Sequence, residues 1–367
     1  MYLYEQPDWP AFTSKSEQLI APLAGLRHLQ GRLAGQLDAL GFPSLSEAAL
    51  ENLTQDVVKS TAIEGEHLDY DQVRSSIAHR LGIEIAAPVA FGREVEGMVA
   101  LVLDALQHCQ EPLTQERLFG WHGALFPTGR SGFYRIRGAQ WRDDALGPMQ
   151  VVSGGLGRER VHFQAPDASR LPAEMHRFLD WFNGDQRLDP VLKAAIGHLW
   201  FVTIHPFDDG NGRITRALTD LLLARAEGRA QRLYSMSAQI MTERVEYYRI
   251  LEQVQRGPLD ITPWLLWFVE CLTRALERAE ETIAKVIQKH QFWQRHQAPD
   301  FNERHRRLLV LLLNGFEGKL TTSKWARIAK CSTDTALRDI QFLLGHGILE
   351  KETASGRSTS YRFCLGG

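Results

Sequence analysis

His205-Pro206-Phe207-Asp208-Asp209-Gly210-Asn211-Gly212-Arg213-Ile214-Thr215-Arg216 is the stretch that decides how this chain is read. It gathers an imidazole, two carboxylates, two glycines and two guanidiniums into one short segment. Gly210 and Gly212 lift the steric bar on positive φ, so successive N–H groups from Asp209 to Gly212 can converge into an anion-binding nest. Ile214, Ala217, Leu218, Leu221 and Leu222 follow at helical spacing, which predicts the nest at a helix N-terminus, where unpaired N–H groups and the macrodipole favour phosphate. Arg213 is expected to begin that helix and Arg216 to lie one turn further on nearly the same side, giving two forks for phosphate oxygens. Asp209 offers a hard oxygen to Mg²⁺, which binds through one or two carboxylates plus substrate phosphates. His205 has an ordinary pKa of about 6.5 and can accept a proton near neutrality. The expected chemistry is metal-assisted transfer of a nucleotidyl or phosphoryl group to an acceptor that loses its proton to His205.

Taken singly, these features have plainer readings. Gly-Asn-Gly makes ordinary turns, His-Pro often marks a helix end, and His198 with His205 lacks the i, i+4 spacing of a common zinc motif. As a whole, the string resembles at every position the H-P-F-x-D/E-G-N-G-R-x-x-R signature of the Fic family, enzymes that transfer AMP from ATP to protein hydroxyls. The resemblance implies His205 as general base, Phe207 as a buried anchor, and Asp209 as the Mg²⁺ ligand. It further implies Gly210, Asn211 and Gly212 as the α-phosphate cradle, with Arg213 and Arg216 on the outer phosphates. Family members that move a terminal phosphate carry lysine at the position of Gly212, so glycine there favours nucleotidyl transfer. The implied reaction is in-line attack of a Ser, Thr or Tyr hydroxyl on the α-phosphorus.

Upstream, Ser60-Thr61-Ala62-Ile63-Glu64-Gly65 is similar to the S/T-x-x-x-E-G/N inhibitory motif of the same family. Ser44 and Glu47 make a possible capping box, and Leu50, Leu53, Val57 and Val58 form an apolar stripe, so a helix is expected there, ended by Gly65. The resemblance implies an autoinhibited subclass in which Glu64 binds Arg216, here expected bidentately, and denies the γ-phosphate its donors. Between the two motifs, Gly132-Phe133-Tyr134-Arg135 resembles the G-x-Y-R element before the family's target-docking flap. Residues 149–152 and 160–163, around a Gly154-Gly155 turn, are expected to form that flap, which binds a target by strand addition. Tyr247, Tyr248 and Leu251 stand where family members close the adenine pocket, with Tyr248 the nucleotide-binding candidate, although aromatics at helical spacing also read as core.

With 367 residues and 44% hydrophobic content, the chain can bury a large core and is expected to hold more than one domain. A net charge of −2 makes no global case for nucleic acid or membrane. Cys109, Cys271, Cys331 and Cys364 have no C-x-x-C spacing, which excludes the common zinc-ribbon and disulfide patterns. The N-terminal residues lack a signal-peptide pattern and no apolar run reaches about 18 residues, so a cytoplasmic protein is expected. Helices are expected over 19–40, 46–64, 93–109, 173–183, 191–203, 212–227 and 263–290, with loops and a hairpin over 128–166.

Beyond residue 299, expected helices at 304–313, 321–329 and 333–344 precede strand-like pieces at 347–351 and 361–363 that flank a loop at 353–359. That order resembles a winged helix-turn-helix domain with its recognition helix at 333–344. Residues 300–367 carry eleven Lys or Arg against seven Asp or Glu. Arg338 and Arg357, with Lys324, Arg327 and Lys330, are candidates for phosphate contacts, and dimerisation or partner docking is equally open. The expected fold is therefore mainly α: an N-terminal helical region with the inhibitory helix (1–110), a Fic-type core with a hairpin flap (111–290), and a winged-helix module (299–367). The leading function is an autoinhibited adenylyltransferase acting on proteins, itself included, as a monomer or homodimer. The alternatives are a DNA-binding regulator that uses the Fic domain as a nucleotide sensor, and an enzyme that removes AMP.

Overall fold

The computed structural model describes residues 1–38, 42–85, 87–154, 160–184, 187–229, 232–296, 300–313, 315–316, 318–352 and 359–364, with backbone alone for 37–38, 42–45, 285–286 and 290. In chain order the elements are α1 (Ser16–Asp38), α2 (Phe42–Ile63), α3 (Tyr70–Leu81), α4 (Arg93–Gln107), α5 (Gln115–Leu125), β1 (Arg130–Ser131), β2 (Tyr134–Arg135), β3 (Gln150–Ser153) and β4 (Arg160–Gln164). There follow α6 (Leu171–Asn183), α7 (Pro190–Ile204), α8 (Asn211–Glu227), α9 (Met236–Thr242), α10 (Arg244–Gln255), α11 (Thr262–Arg295), α12 (Glu303–Leu313), β5 (Leu320–Thr321), α13 (Thr322–Ala329), α14 (Thr333–Gly345), β6 (Leu349–Lys351) and β7 (Ser360–Phe363). The protein is mainly helical. It divides into two compact units, Met1–Glu281 and Thr282–Gly367, at a boundary inside α11.

The first unit is organised on α7 and α8, which pack closely along each other. Both are enclosed on nearly every side, as expected for helices at the centre of a domain. Asp189 caps α7 by accepting from the N–H groups of Val191 and Leu192, and Pro190 fits the first turn. Gly228, at φ +64°, ends α8. Around this pair, α4 and α5 approach so closely that a Cβ on Gly97 would lie 1.9 Å from the Ala124 carbonyl oxygen. No other residue fits at that crossing.

α2 packs against α3, α4, α8 and α9. A buried polar cluster fixes it: Asp56 of α2 accepts from Ser235 Oγ, while Arg232 Nη1 donates to Asp220 Oδ1 of α8 at 2.7 Å. Asn52 Nδ2 donates to the carbonyls of Arg232 and Tyr234. Burial, reinforced by the facing Asp56, raises the Asp220 carboxyl well above its ordinary range.

His122 and His198 are buried, and burial pushes them down to about 4 and about 3. His198 faces Thr219 Oγ1 and the Tyr247 hydroxyl, and His122 Nδ1 accepts from the Ala139 N–H. The unfolded chain takes up these protons near an ordinary pKa of about 6.5, so the stabilisation from keeping both rings neutral is complete above that value and is lost as pH falls toward 4. Thermal melts at about pH 7.5 and about pH 5 are expected to give the lower Tm in acid. Equal midpoints would contradict this account.

Several sequence expectations shift. Residue 40 lies outside the described residues, and α2 starts at Phe42, so Ser44 is inside the helix rather than at its cap; its side chain is outside the described set. α2 stops at Ile63, just before Glu64, and Gly65 turns at φ +87°. α3, α5, α9 and α10 were not anticipated as helices; α9 is only seven residues long and amphipathic periodicity cannot register over such a span. Gly155 and residues 156–159 of the expected flap turn lie outside the described residues.

In the second unit, α12, α13 and α14 enclose Trp325, Leu308, Ile340 and Leu343. Trp325 Nε1 and the Nε and Nη2 of Arg304 donate to the buried Asp339 carboxylate. Thr321 and Ser332 cap α13 and α14. The sheet is three-stranded and antiparallel in the order β5-β7-β6, with Leu320 opposite Tyr361 and Leu349 opposite Phe363. β5 was not expected, because two residues carry no alternation to read. Arg357 and residues 353–358 lie outside the described residues. Among the described residues, no helix is long and apolar enough to cross a membrane.

Candidate active site

α7 ends on His205, whose backbone takes the left-handed conformation at φ +51° and ψ +59°. Its N–H donates to the Phe201 carbonyl, and its Nδ1 lies 3.2 Å from the Val202 carbonyl oxygen. A carbonyl can only accept, so the neutral ring carries its proton on Nδ1 and presents Nε2 as a lone-pair acceptor. Burial pushes the imidazole down to about 4; the Arg142 charge adds to this, while Glu64 and Asp209 oppose it. The ring is therefore unprotonated at neutral pH.

The loop that follows is held from within. Phe207 is buried and stacks on the His122 ring at 4.3 Å between centroids. Asn211 Oδ1 accepts from the Phe207 N–H at 3.0 Å, and its Nδ2 donates to the Phe207 carbonyl at 2.8 Å. The Asn211 side chain thus clamps the loop, so Asn211 itself can meet an anion only through its backbone N–H. α8 begins at Asn211, two residues before Arg213, with Gly210 in the left-handed region at φ +80°. A Cβ on Gly210 would stand 2.9 Å from the Phe126 ring, so space and backbone both require glycine.

Asp209 is partly exposed. Its Oδ1 accepts from the Gly210 N–H at 2.5 Å and lies 3.7 Å from Arg213 Nη2, and its Oδ2 accepts from Ser131 Oγ in the β1–β2 hairpin. Asp208 accepts from the Arg137 N–H at 2.7 Å. One partly exposed carboxylate without a cluster of others suits Mg²⁺, whose remaining ligands come from water and phosphate. Among the described residues, no group of three or more His, Cys, Asp or Glu gathers as a metal site.

Both arginines of the loop face carboxylates from the segment after α2. Arg216 is buried; its Nη1 lies 2.7 Å from Glu64 Oε1, its Nε donates to Ser60 Oγ at 2.8 Å, and its Nη2 donates to the Ser60 carbonyl at 2.7 Å. The contact with Glu64 is single rather than the bidentate fork expected from sequence, because Ser60 takes the other two donors. Gly212 makes room for it: a Cβ there would lie 2.0 Å from Glu64 Oε1. Arg213 Nη1 donates to Glu66 Oε2 at 2.7 Å, and its buried Nε and Nη2 have no hydrogen-bond partner among the described residues. Two unpaired donors on a buried guanidinium suit the oxygens of an anion.

A cavity of about 490 Å³ opens over this loop, lined by Glu64, His205, Asp209, Gly212, the flap residues Val151 and Val152, and the α10 residues Tyr248 and Leu251. Its size is that of a cofactor-scale site, roughly 300–1,000 Å³. β3 and β4 form an antiparallel pair with an irregular step between Val151 and Val152. Tyr248 directs its hydroxyl at the Ile63 carbonyl at 3.4 Å, beside Arg244, whose Nε donates to the same oxygen at 2.7 Å. Tyr247 is buried against His198 and also lines the cavity. Glu66, Ser131, Arg142 and Arg244 escaped the sequence reading: Glu66 carries a visible signal, an acid two residues past Glu64, whereas the other three are single polar residues whose partners lie far along the chain.

The sequence pattern described as Fic/DOC family matches residues 112–223, and one described as a domain of unknown function matches residues 2–83, which include Ser60 to Gly65. Protein adenylyltransferase Fic of Drosophila mojavensis is 28% identical over 240 residues, 64% of this chain and 42% of that protein. The protein of the same name from Culex quinquefasciatus is 28% identical over 257 residues, 67% of this chain and 46% of its own. The chain spans less than half the length of these curated relatives. Among solved structures, a Fic family protein from Desulfovibrio desulfuricans G20 has a TM-score of 0.58 at 20% identity, over 98% of this chain and 99% of that one. A Fic domain containing signaling protein from Bacteroides thetaiotaomicron has a TM-score of 0.53 at 23% identity, over 71% and 97%. Loop, helix pair and matches agree: residues 112–223 carry a Fic/DOC domain, and the chain is related to protein adenylyltransferase Fic.

Proposed function

We propose that this protein transfers AMP from ATP to hydroxyls of proteins, itself included, and that Glu64 restrains it. The observation that carries the reading is the cavity in which an unprotonated His205 and the N-terminus of α8 open together. The acceptor hydroxyl attacks the α-phosphorus, its proton passes to His205 Nε2, and the bond to the leaving pyrophosphate breaks. Backbone N–H groups of α8 hold the phosphate next to the developing charge, and Arg213 receives an outer phosphate on Nε and Nη2. Asp209 would hold Mg²⁺, which supplies charge neutralisation on the phosphates. Tyr248, on the cavity wall, is assigned to the base. Intact-protein mass spectrometry after incubation with ATP and Mg²⁺, with cell extract as target source, tests the reading. An AMP adduct on the Glu64→Gly protein or on an extract protein is expected, and its absence despite ATP binding would end the proposal.

Glu64 and Glu66 together place a carboxylate on each arginine that a triphosphate needs. Glu66 is half-exposed, so its hold is the weaker and is screened by salt. Glu66→Ala is expected to tighten ATP binding severalfold at low ionic strength, with the gain fading at high salt. Calorimetric titration reads this, and a Kd equal to that of the wild type would assign Glu66 to the surface alone.

For the C-terminal unit we infer a winged-helix docking module. The exposed face of α14 carries Asp334, Leu337 and Gln341 with Arg338, a mixed surface better suited to protein than to DNA.

A further inference from the structure

The chain reaches the flap through Arg142, whose side chain is fully enclosed. A guanidinium so placed is tolerated only when its donors are matched. Nε donates to the His205 carbonyl at 2.8 Å, Nη1 meets Asp144 Oδ1 at 2.8 Å, and Nη2 donates to the Pro166 carbonyl. The main-chain N–H of the same residue donates to the Pro206 carbonyl at 2.9 Å. One residue thus grips the first two carbonyls of the signature loop.

It also grips both ends of the flap. Asp144 precedes β3 and Pro166 follows β4. Asp144 accepts in turn from the Ala168 N–H at 2.6 Å, and the Ala165 N–H donates to the Met149 carbonyl at 2.9 Å, closing the base of the hairpin. His205 needs such a hold, since a left-handed backbone is strained for a non-glycine residue. Its N–H is fixed by Phe201 and its carbonyl by Arg142. Free rotation of the 205–206 peptide would turn the imidazole away from Val202 and move Nε2.

We infer that Arg142 is a positioning residue for the transfer reaction, joining the ends of the flap to the orientation of the His205 ring. The inference rests on the AMP-transfer reading given above. Arg142 does not line the cavity; it acts through the His205 carbonyl. A target strand seated on the flap is thereby fixed in the same frame as the base that deprotonates it, which keeps hydroxyl and Nε2 in register.

The test uses the full chain in the Glu64→Gly background, labelled with ¹⁵N in the histidine rings. Arg142→Lys keeps the charge but replaces a three-branched donor with one ammonium. The His205 ring is expected to change from a single Nδ1-protonated tautomer to a mixture, without any substrate present. AMP transfer to the protein itself is expected to fall by about 10²-fold, the scale of a misplacement of about 1 Å, while ATP affinity by calorimetry stays at the parent value. A folded Arg142→Lys protein with the parent ring spectrum and parent transfer rate overturns the inference, whatever its Tm. Should that variant not fold, Asp144→Asn, which neutralises the carboxylate that orients the guanidinium, is expected to shift the ring in the same direction; an unchanged ring there overturns it equally. If the parent transfers no AMP while the ring responds as stated, the positioning role stands and the reaction assigned to the site falls.

Discussion

His205→Ala is expected to lower AMP transfer by about 10²- to 10⁴-fold, the usual contribution of a general base, with ATP affinity kept at the wild-type value. The separation follows from geometry. In the proposed reaction, nucleotide affinity is assigned to N–H groups at the start of α8 and to arginines, none of which involve the imidazole, whereas proton removal is assigned to Nε2. A residual rate should persist, because holding nucleophile and phosphorus in line contributes about 7–11 kcal/mol independently of the base. Single-turnover kinetics with calorimetric ATP binding check the result. A variant with near-normal transfer would remove His205 from the mechanism. The depressed pKa adds a further signature: the wild-type rate should hold from neutral pH down to about 5 and fall only as the ring protonates near 4.

Glu64→Gly is expected to raise transfer by roughly 10- to 100-fold and to lower Tm. The gain equals the inverse of the population in which Arg216 is free. A partly exposed carboxylate on a buried guanidinium is worth about 1.5–3 kcal/mol, and 1.4 kcal/mol corresponds to a factor of ten. The fall in Tm has the same origin, since Arg216 then keeps Ser60 as a partner but loses its charge partner. The gain should stop short of full release, because Glu66 continues to hold Arg213. Rates measured by intact mass on both proteins decide the matter; equal rates would argue that Glu64 holds the fold and not the activity.

Much of this was legible. Helix existence for α1, α2, α4, α6, α7, α8 and α11 came through because long apolar stripes report which face is buried, and the loop at 205–216 was legible because its chemistry is local. The same holds for the C-terminal helices. What failed is short or irregular: α9, the two-residue β5, and the start of α2, where Ser44 and Glu47 offered a capping pattern that Phe42 and Pro43 pre-empted by entering the helix first.

The sequence by itself determined the set of candidate groups. His205, Asp209, Arg213 and Arg216 are adjacent in the chain, and two glycines set the turn that holds them together. Only the tertiary structure decided what those groups face. Arg216 meets Ser60 near the end of α2 and Glu64 just past it, more than a hundred residues away, Arg213 meets Glu66, and Arg142 takes hold of the His205 carbonyl. Periodicity and propensity describe a residue's relation to its own segment, whereas a buried guanidinium selects its acceptors by position in space. The chemistry of the site was therefore written locally, and its restraint and alignment arise only when the helices pack.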